Sequence, residues 1–150
     1  MPHRCPQCGA TYATAETCEE RFNAAQLQEL EDRARYAVHH LSVPCYLLQH
    51  NGYSRRGWLE VRALLARFVT GLHPGEARRV ARGTVGSDRR TWSFTRGEKL
   101  AGVEAVAWTR TIADVRLDSA EHYCADVRAW ASSILADSAA LVAALPPEPR

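Results

Sequence analysis

The chain has 150 residues, 46% of them hydrophobic and 24% charged, with a formal net charge of +2. A chain of that length suits one domain, its apolar content excludes a disordered polymer, and so small a charge gives no general sign of a nucleic-acid binder. The longest apolar runs, such as Cys45–Leu48 and Ala139–Leu145, fall far short of the roughly 20 residues that cross a bilayer, so no membrane partner is expected. Residues 1–20 contain no apolar core of the kind a secretory signal needs. With five cysteines, an odd number, the expected setting is a reducing cytoplasm.

The predicted elements begin with a cysteine head over residues 1–18, "RCPQCGATYATAETCEERF" covering 4–22. "TCEE" at 17–20 is a helix start in which Thr17 accepts from the first turn, so a helix should open at Cys18 and run past Phe22, Leu27 and Leu30 to Asp32. Asp32 is the expected N-cap of a second helix, whose Tyr36, His39, Val43, Tyr46 and His50 recur at 3,4 spacing. Together 18–50 read as a helical hairpin. Pro44 should kink its second arm, and Asn51 and Gly52 should end it. A third helix is predicted from Trp58 to about Gly71 and a short fourth one after Pro74, giving a helical block over 57–82.

Residues 83–109 change character. Gly83, Gly86, Gly97 and Gly102 punctuate short alternations such as Trp92 with Phe94 and Val106 with Trp108, which predicts an irregular, partly extended connection or a short hairpin. From Asp118 the capping signature returns. Tyr123, Val127, Trp130, Ile134, Leu141 and Leu145 then hold a helical period as far as 145. The expected fold is therefore mainly α: a single-domain helical bundle with an N-terminal zinc knuckle.

The cysteine head carries the clearest chemistry. In "CPQC" followed by Gly9, two thiolates two residues apart can face one ion while the glycine lets the chain turn beneath it. A redox dithiol would open a helix after a strand, a context that neither flank of Cys5 and Cys8 offers. Cys18, in a first helical turn where backbone N–H groups point outward, is the natural third ligand. Zinc in a structural site takes four ligands, so one is missing, and His39, His40, Cys45 and His50 are the candidates. An antiparallel second helix passes Cys18 after about 20 Å, at about 1.5 Å per residue, which points to His50; His39 or His40 would fall roughly 10 Å short and is the alternative.

The block "CPQCG", Cys18, "AVHHLSVPCYLLQH", "RTW" at 90–92 and "VRAWA" at 127–131 resembles a bacterial family described only as a domain of unknown function, over most of the chain. The resemblance implies family positions at the two CxxC cysteines, Cys18, His39, Tyr46, Gln49 and His50, and implies no reaction. The chain departs from that pattern with Arg33, where a proline often opens the second helix, and with Pro44 inside it.

Three function classes follow. A binding or accessory module with a closed zinc site, taking a protein or small-molecule partner, is favoured because no recognisable catalytic set accompanies the cysteines. A small metalloenzyme would use His39 as base and Tyr46 as acid, with His40 beside them and Gln49, Arg90 and Trp92 as candidate substrate contacts. The bland account of His39 is a half-buried histidine paired with a carboxylate or a carbonyl. Nucleic-acid binding would rest on the segment 78–96, where Arg78, Arg79, Arg82, Arg89, Arg90 and Arg96 interleave with Trp92 and Phe94; a solvated face is the simpler reading. Cys45 and Cys124, among apolar neighbours, are expected to pack as small hydrophobes.

Overall fold

Thr17 opens the first long helix as its position predicts, its hydroxyl accepting from the backbone N–H of Glu20 at 3.1 Å. The computed structural model describes residues 2–84 and 94–147. A two-stranded antiparallel ribbon, β1 (His3–Arg4) and β2 (Thr11–Tyr12), pairs His3 with Tyr12 and Arg4 with Thr11. The helices are α1 (Cys18–Glu31), α2 (Arg33–Tyr36), α3 (His39–Gln49), α4 (Arg55–Val69), α5 (Pro74–Thr84), α6 (Ala120–Asp137) and α7 (Ala139–Ala143). Single 3-10 turns occupy Val103–Ala105 and Ile112–Asp114. The protein is mainly helical, as its patterning predicts; the ribbon that shapes its head was not foreseen.

Helix α3 is central, packing on α4 and α6, while α4 and α6 also pack on each other. Trp58, Trp130, Tyr123, Leu48, Leu65 and Ile134 are fully buried in the shared core. Burying such side chains supplies roughly 1.5–3 kcal/mol each, which holds the layers together. Their polar tips are served locally: the Trp58 indole donates to the carbonyl of Leu48 at 2.9 Å, and the Trp130 indole to Gln49 Oε1 at 3.0 Å. Gln49 is itself fully buried and donates to the carbonyl of Arg110 at 2.7 Å, tying α3 to α6 and to the chain before the second 3-10 turn. Arg21 on α1 clamps that turn by donating to the carbonyls of Ile112 and Val115.

The long second helix expected from Asp32 is divided. Asp32 does cap α2, accepting from the backbone N–H of Ala34 at 3.0 Å, but the chain leaves the helix at Ala37 and Val38, and α3 restarts at His39. Pro44 sits within α3, where it removes only the bond to the carbonyl of His40. The interruption instead lies where buried Val38 packs into the core and its carbonyl accepts from both Leu41 and Ser42. The buried face is also not the predicted one. Leu41, Ser42, Cys45, Leu48 and Gln49 point inward, while Tyr36 is 47% exposed. On α1, Leu27 and Leu30 are 57% and 75% exposed, and the inward stripe is Cys18, Ala25 and Glu29 with half-buried Phe22.

Helix α4 begins at Arg55, three residues before the expected Trp58, because Ser54 caps it by accepting from Gly57 N–H at 3.1 Å. Gly57 is required there: a Cβ would fall 2.5 Å from the carbonyl oxygen of Phe94, whose backbone crosses the helix. Asn51 takes the left-handed conformation expected after α3, with φ of 52°. Of the stretch 83–109, residues 83 and 84 still belong to α5, and the other described residues, 94–109, form an irregular connection with one 3-10 turn and no hairpin.

The C-terminal helix keeps its predicted face but differs at both ends. Its cap is Ser119, which accepts from His122 N–H at 3.1 Å, and not Asp118, whose carboxylate meets the His122 ring. It breaks at Ser138, where Arg62 donates to the carbonyl of Leu135 and to Ser138 Oγ, both at 2.8 Å. No helix among the described residues is long and apolar enough to cross a membrane.

Candidate metal centre

Three separate segments bring the head's polar atoms together. The turn between β1 and β2 is closed by Cys5 N–H on the carbonyl of Ala10 at 2.7 Å and Gly9 N–H on that of Cys5 at 3.0 Å, with Gly9 at a φ of 79°. A left-handed residue at the base of the turn aims both knuckle sulfurs to the same side, as only glycine does cheaply. Cys18 comes from the first turn of α1, and His50 caps the C-terminal end of α3. The three sulfurs and the His50 ring nitrogen lie within 4.8 Å of one another. Cys8 and Cys18 sulfurs are 3.5 Å apart, and Cys5 Sγ is 3.8 Å from His50 Nε2.

The imidazole is prepared for ligation. Its Nδ1 lies 2.8 Å from the carbonyl oxygen of Tyr46, which can only accept, so Nδ1 carries the hydrogen and Nε2 keeps its lone pair toward the cysteines. This is the outer-sphere contact that normally fixes a metal-binding histidine. A stack holds the ring: Phe22 on Tyr46 at 4.0 Å, and Tyr46 on His50 at 4.2 Å. Gln7 also donates to the carbonyl of His50 at 3.1 Å, fastening the knuckle to the end of α3.

The hydrogen bond from Cys8, with another from Tyr12, draws Cys18 down to about 4, while the same contact with Cys18 and burial push Cys8 far above the usual thiol range. One proton is thus shared where a divalent ion would let all three sulfurs ionise. The Tyr12 hydroxyl donates to Cys18 Sγ at 3.0 Å, a contact that no spacing in the sequence announces.

The other predicted residues are placed apart. His39 Nδ1 meets Glu29 Oε1 at 2.7 Å and its ring stacks on Tyr36, whereas Tyr46 belongs to the His50 stack, so the two engage different partners. His40 packs edge-on against Phe68 and is held below the usual histidine range, chiefly by burial and then by Arg128. Gln49 is buried between α3 and α6. Arg90 and Trp92, with the stretch from 85 to 93, lie outside the described residues. Cys45 is fully buried and burial pushes its thiol up; Cys124 donates to the carbonyl of Ala34 at 3.2 Å. Beside the knuckle lies a cleft of about 390 Å³, walled by Cys5, Gln7 and Gly9 on one side and by Glu104, Val106 and Trp108 on the other.

Fold and site together define a small helical protein with an N-terminal Cys3His group positioned to bind a metal ion. The chain belongs to a family of unknown function, DUF5946, whose model matches residues 3–139. No curated protein and no solved structure matches it.

Proposed function

We propose that Cys5, Cys8, Cys18 and His50 hold one zinc ion in a closed site, and that the protein is a binding or accessory module whose head this ion rigidifies. The observation that carries the reading is the shape of the donor set. Around zinc, bonds of about 2.3 Å to sulfur and about 2.0 Å to nitrogen give tetrahedral edges of about 3.8 Å between sulfurs and about 3.6 Å from sulfur to nitrogen. Two separations, 3.5 Å for Cys8–Cys18 and 3.8 Å for Cys5–His50, match such edges, and all four donor atoms lie within 4.8 Å of one another. Thiolate-rich tetrahedral sets select zinc over magnesium or calcium, which prefer oxygen donors.

With four protein donors the ion keeps no open position, so its contribution is structural: it joins the ribbon, the start of α1 and the end of α3. The exposed Leu27, Leu30 and Tyr36 support a protein partner, and the cleft beside the knuckle supports a small-molecule one. A reducing cytoplasm is the setting in which these thiolates stay available.

Metal analysis of protein purified without added metal tests this. One zinc per chain, with three sulfurs and one nitrogen in its X-ray absorption spectrum, is the expected result; His50→Ala should lose both the metal and the ordered head. A His50→Ala protein that keeps its zinc and its fold would refute the closed site.

A further inference from the structure

Glu29 on α1 is 1% exposed, yet it lies in the middle of the protein as the acceptor for three side chains. His39 Nδ1 approaches Oε1 at 2.7 Å, and Oε2 receives Ser42 Oγ at 2.7 Å together with the Tyr123 hydroxyl from α6. Gln26 extends the network by donating to Ser42 Oγ at 3.2 Å. With half-buried Gln26 at the edge of the network, the member that carries the carboxylate's contact out to solvent is His39, whose side chain is 38% exposed while that of Glu29 is 0%. Its inner nitrogen is fixed on the carboxylate, its ring is stacked on Tyr36 at 4.7 Å, and Nε2 makes no hydrogen bond among the described residues. A buried carboxylate with a full set of donors and a single imidazole outlet is an expensive arrangement for packing alone.

Neighbouring His40 is held below the usual histidine range by burial and then by Arg128, and exposed Arg128 forms no ion pair among the described residues. Asp32, between α1 and α2, is taken up by Arg35 at 3.2 Å. A dianion approaching the start of α3 therefore meets attraction from Arg128.

We propose that His39 is a phosphoryl acceptor, its Nε2 attacking the phosphorus of an activated donor of the phosphoramidate or acyl-phosphate class. The Nε2 lone pair forms the new nitrogen–phosphorus bond while the bond from phosphorus to the leaving group breaks, and the leaving group departs with that electron pair. From phosphoramidate itself, which carries its amine protonated, the leaving group is ammonia and no further proton is required. The imidazole gains positive charge as its lone pair is committed. Glu29, 2.7 Å from Nδ1 and shielded from water, is placed to offset that charge, and it also keeps the ring from rotating. Glu29 acts here as a positioning residue, with Ser42 and Tyr123 holding its carboxylate in turn.

The protein contains its own comparator. His122 Nδ1 also contacts a carboxylate, Asp118, at 3.0 and 3.1 Å, but that carboxylate is 63% exposed and its charge is screened. The test incubates the full-length, metal-loaded chain with phosphoramidate in mildly alkaline buffer and follows acid-labile phosphate by intact mass, site mapping and phosphorus NMR. His39 should be labelled at Nε2 at least about tenfold faster than His122, and Glu29→Gln should slow His39 by about the same factor while leaving the His122 rate unchanged. Labelling of His39 no faster than His122, labelling at Nδ1, or a His39 rate indifferent to Glu29→Gln would overturn the proposal. Should Glu29→Gln fail to fold, the ratio of the two histidines in the unaltered chain decides, with Tyr123→Phe as the milder variant.

Discussion

Helix α3 carries a histidine at each end, and the two ends do opposite things with the same side chain. His39, the first residue, turns Nδ1 inward to a buried carboxylate and presents Nε2 to solvent. His50, the cap of the last turn, spends Nδ1 on the neutral carbonyl of Tyr46 and presents Nε2 to three sulfurs. In each case the inner contact fixes the tautomer and the outer nitrogen is the working atom. What differs is where negative charge sits: behind the ring at His39, and in front of it at His50. Charge in front suits a ring that donates to a metal, whereas charge behind suits a ring that becomes positive.

Taking away the cation should break the His50 end most severely. Cys18→Ser removes one sulfur and weakens the acceptor used by Tyr12, and apparent binding free energies of structural zinc sites reach about 10–16 kcal/mol. The variant, or the wild type treated with a strong chelator, is expected to lose its metal and the cooperative part of its thermal transition by circular dichroism. Retention of both would show that the ribbon and α1 hold together without an ion.

At the His39 end the comparable break is Glu29→Ala. It strips the acceptor from His39, Ser42 and Tyr123 at once and leaves a buried hole, so a loss of about 3–5 kcal/mol in urea unfolding is expected. Metal content should stay at its wild-type value, because none of the four candidate metal ligands makes a hydrogen bond to this cluster. Coupled loss of metal would mean that the two ends of α3 are one cooperative unit.

These two ends were unequally legible in the sequence. Cys5, Cys8, Cys18 and His50 could be grouped because thiolates at knuckle spacing imply a fourth ligand and the length of a helical hairpin selects it. Glu29 could not be found that way. The apolar pattern on α1 points to Leu27 and Leu30, which the fold leaves exposed, while the inward stripe of Cys18, Phe22, Ala25 and Glu29 has equally good 3,4 spacing but includes a charge. Periodicity treats a glutamate as an outward residue, and only its partners, His39 and Ser42 on α3 and Tyr123 on α6, reverse that. The divided helices escaped notice for a similar reason. The break at Ser138 lies where Arg62, distant in sequence, contacts the chain, and the break at Val38 lies where packing intervenes that no local propensity records.

A smaller effect probes what connects α3 to the rest of the core. Gln49→Ala leaves the buried Trp130 indole without its acceptor, at a cost of about 1–3 kcal/mol. Tryptophan emission should shift as the indole loses its partner, and the metal should remain bound, since Gln49 contacts Arg110 and Trp130 and none of the metal donors. Metal loss in this variant would place the stability of the centre in α3 packing and not in the ion.

The smallest effect expected is that of Asp118→Asn, which isolates what burial adds to a histidine–carboxylate pair. The hydrogen bond from His122 holds the Asp118 carboxyl below its ordinary value of 3.8. A carboxyl lowered by folding binds fewer protons in the native state than in the unfolded one, so its contribution is fully present above the ordinary range and is lost as pH falls through the lower, native value. Asp118 is solvent-exposed, however, and water screens the pair. Melting temperatures of Asp118→Asn and wild type should therefore differ only slightly from pH 5 to 8, and that small difference should close in acid, where the wild type loses the contact as well. Glu29→Gln, with the same loss of one formal charge beside a histidine, should melt clearly lower than wild type across that whole range. Equal behaviour of the two variants would remove the physical distinction between an exposed pair and a buried one, on which the assignment of His39 as the reactive imidazole depends.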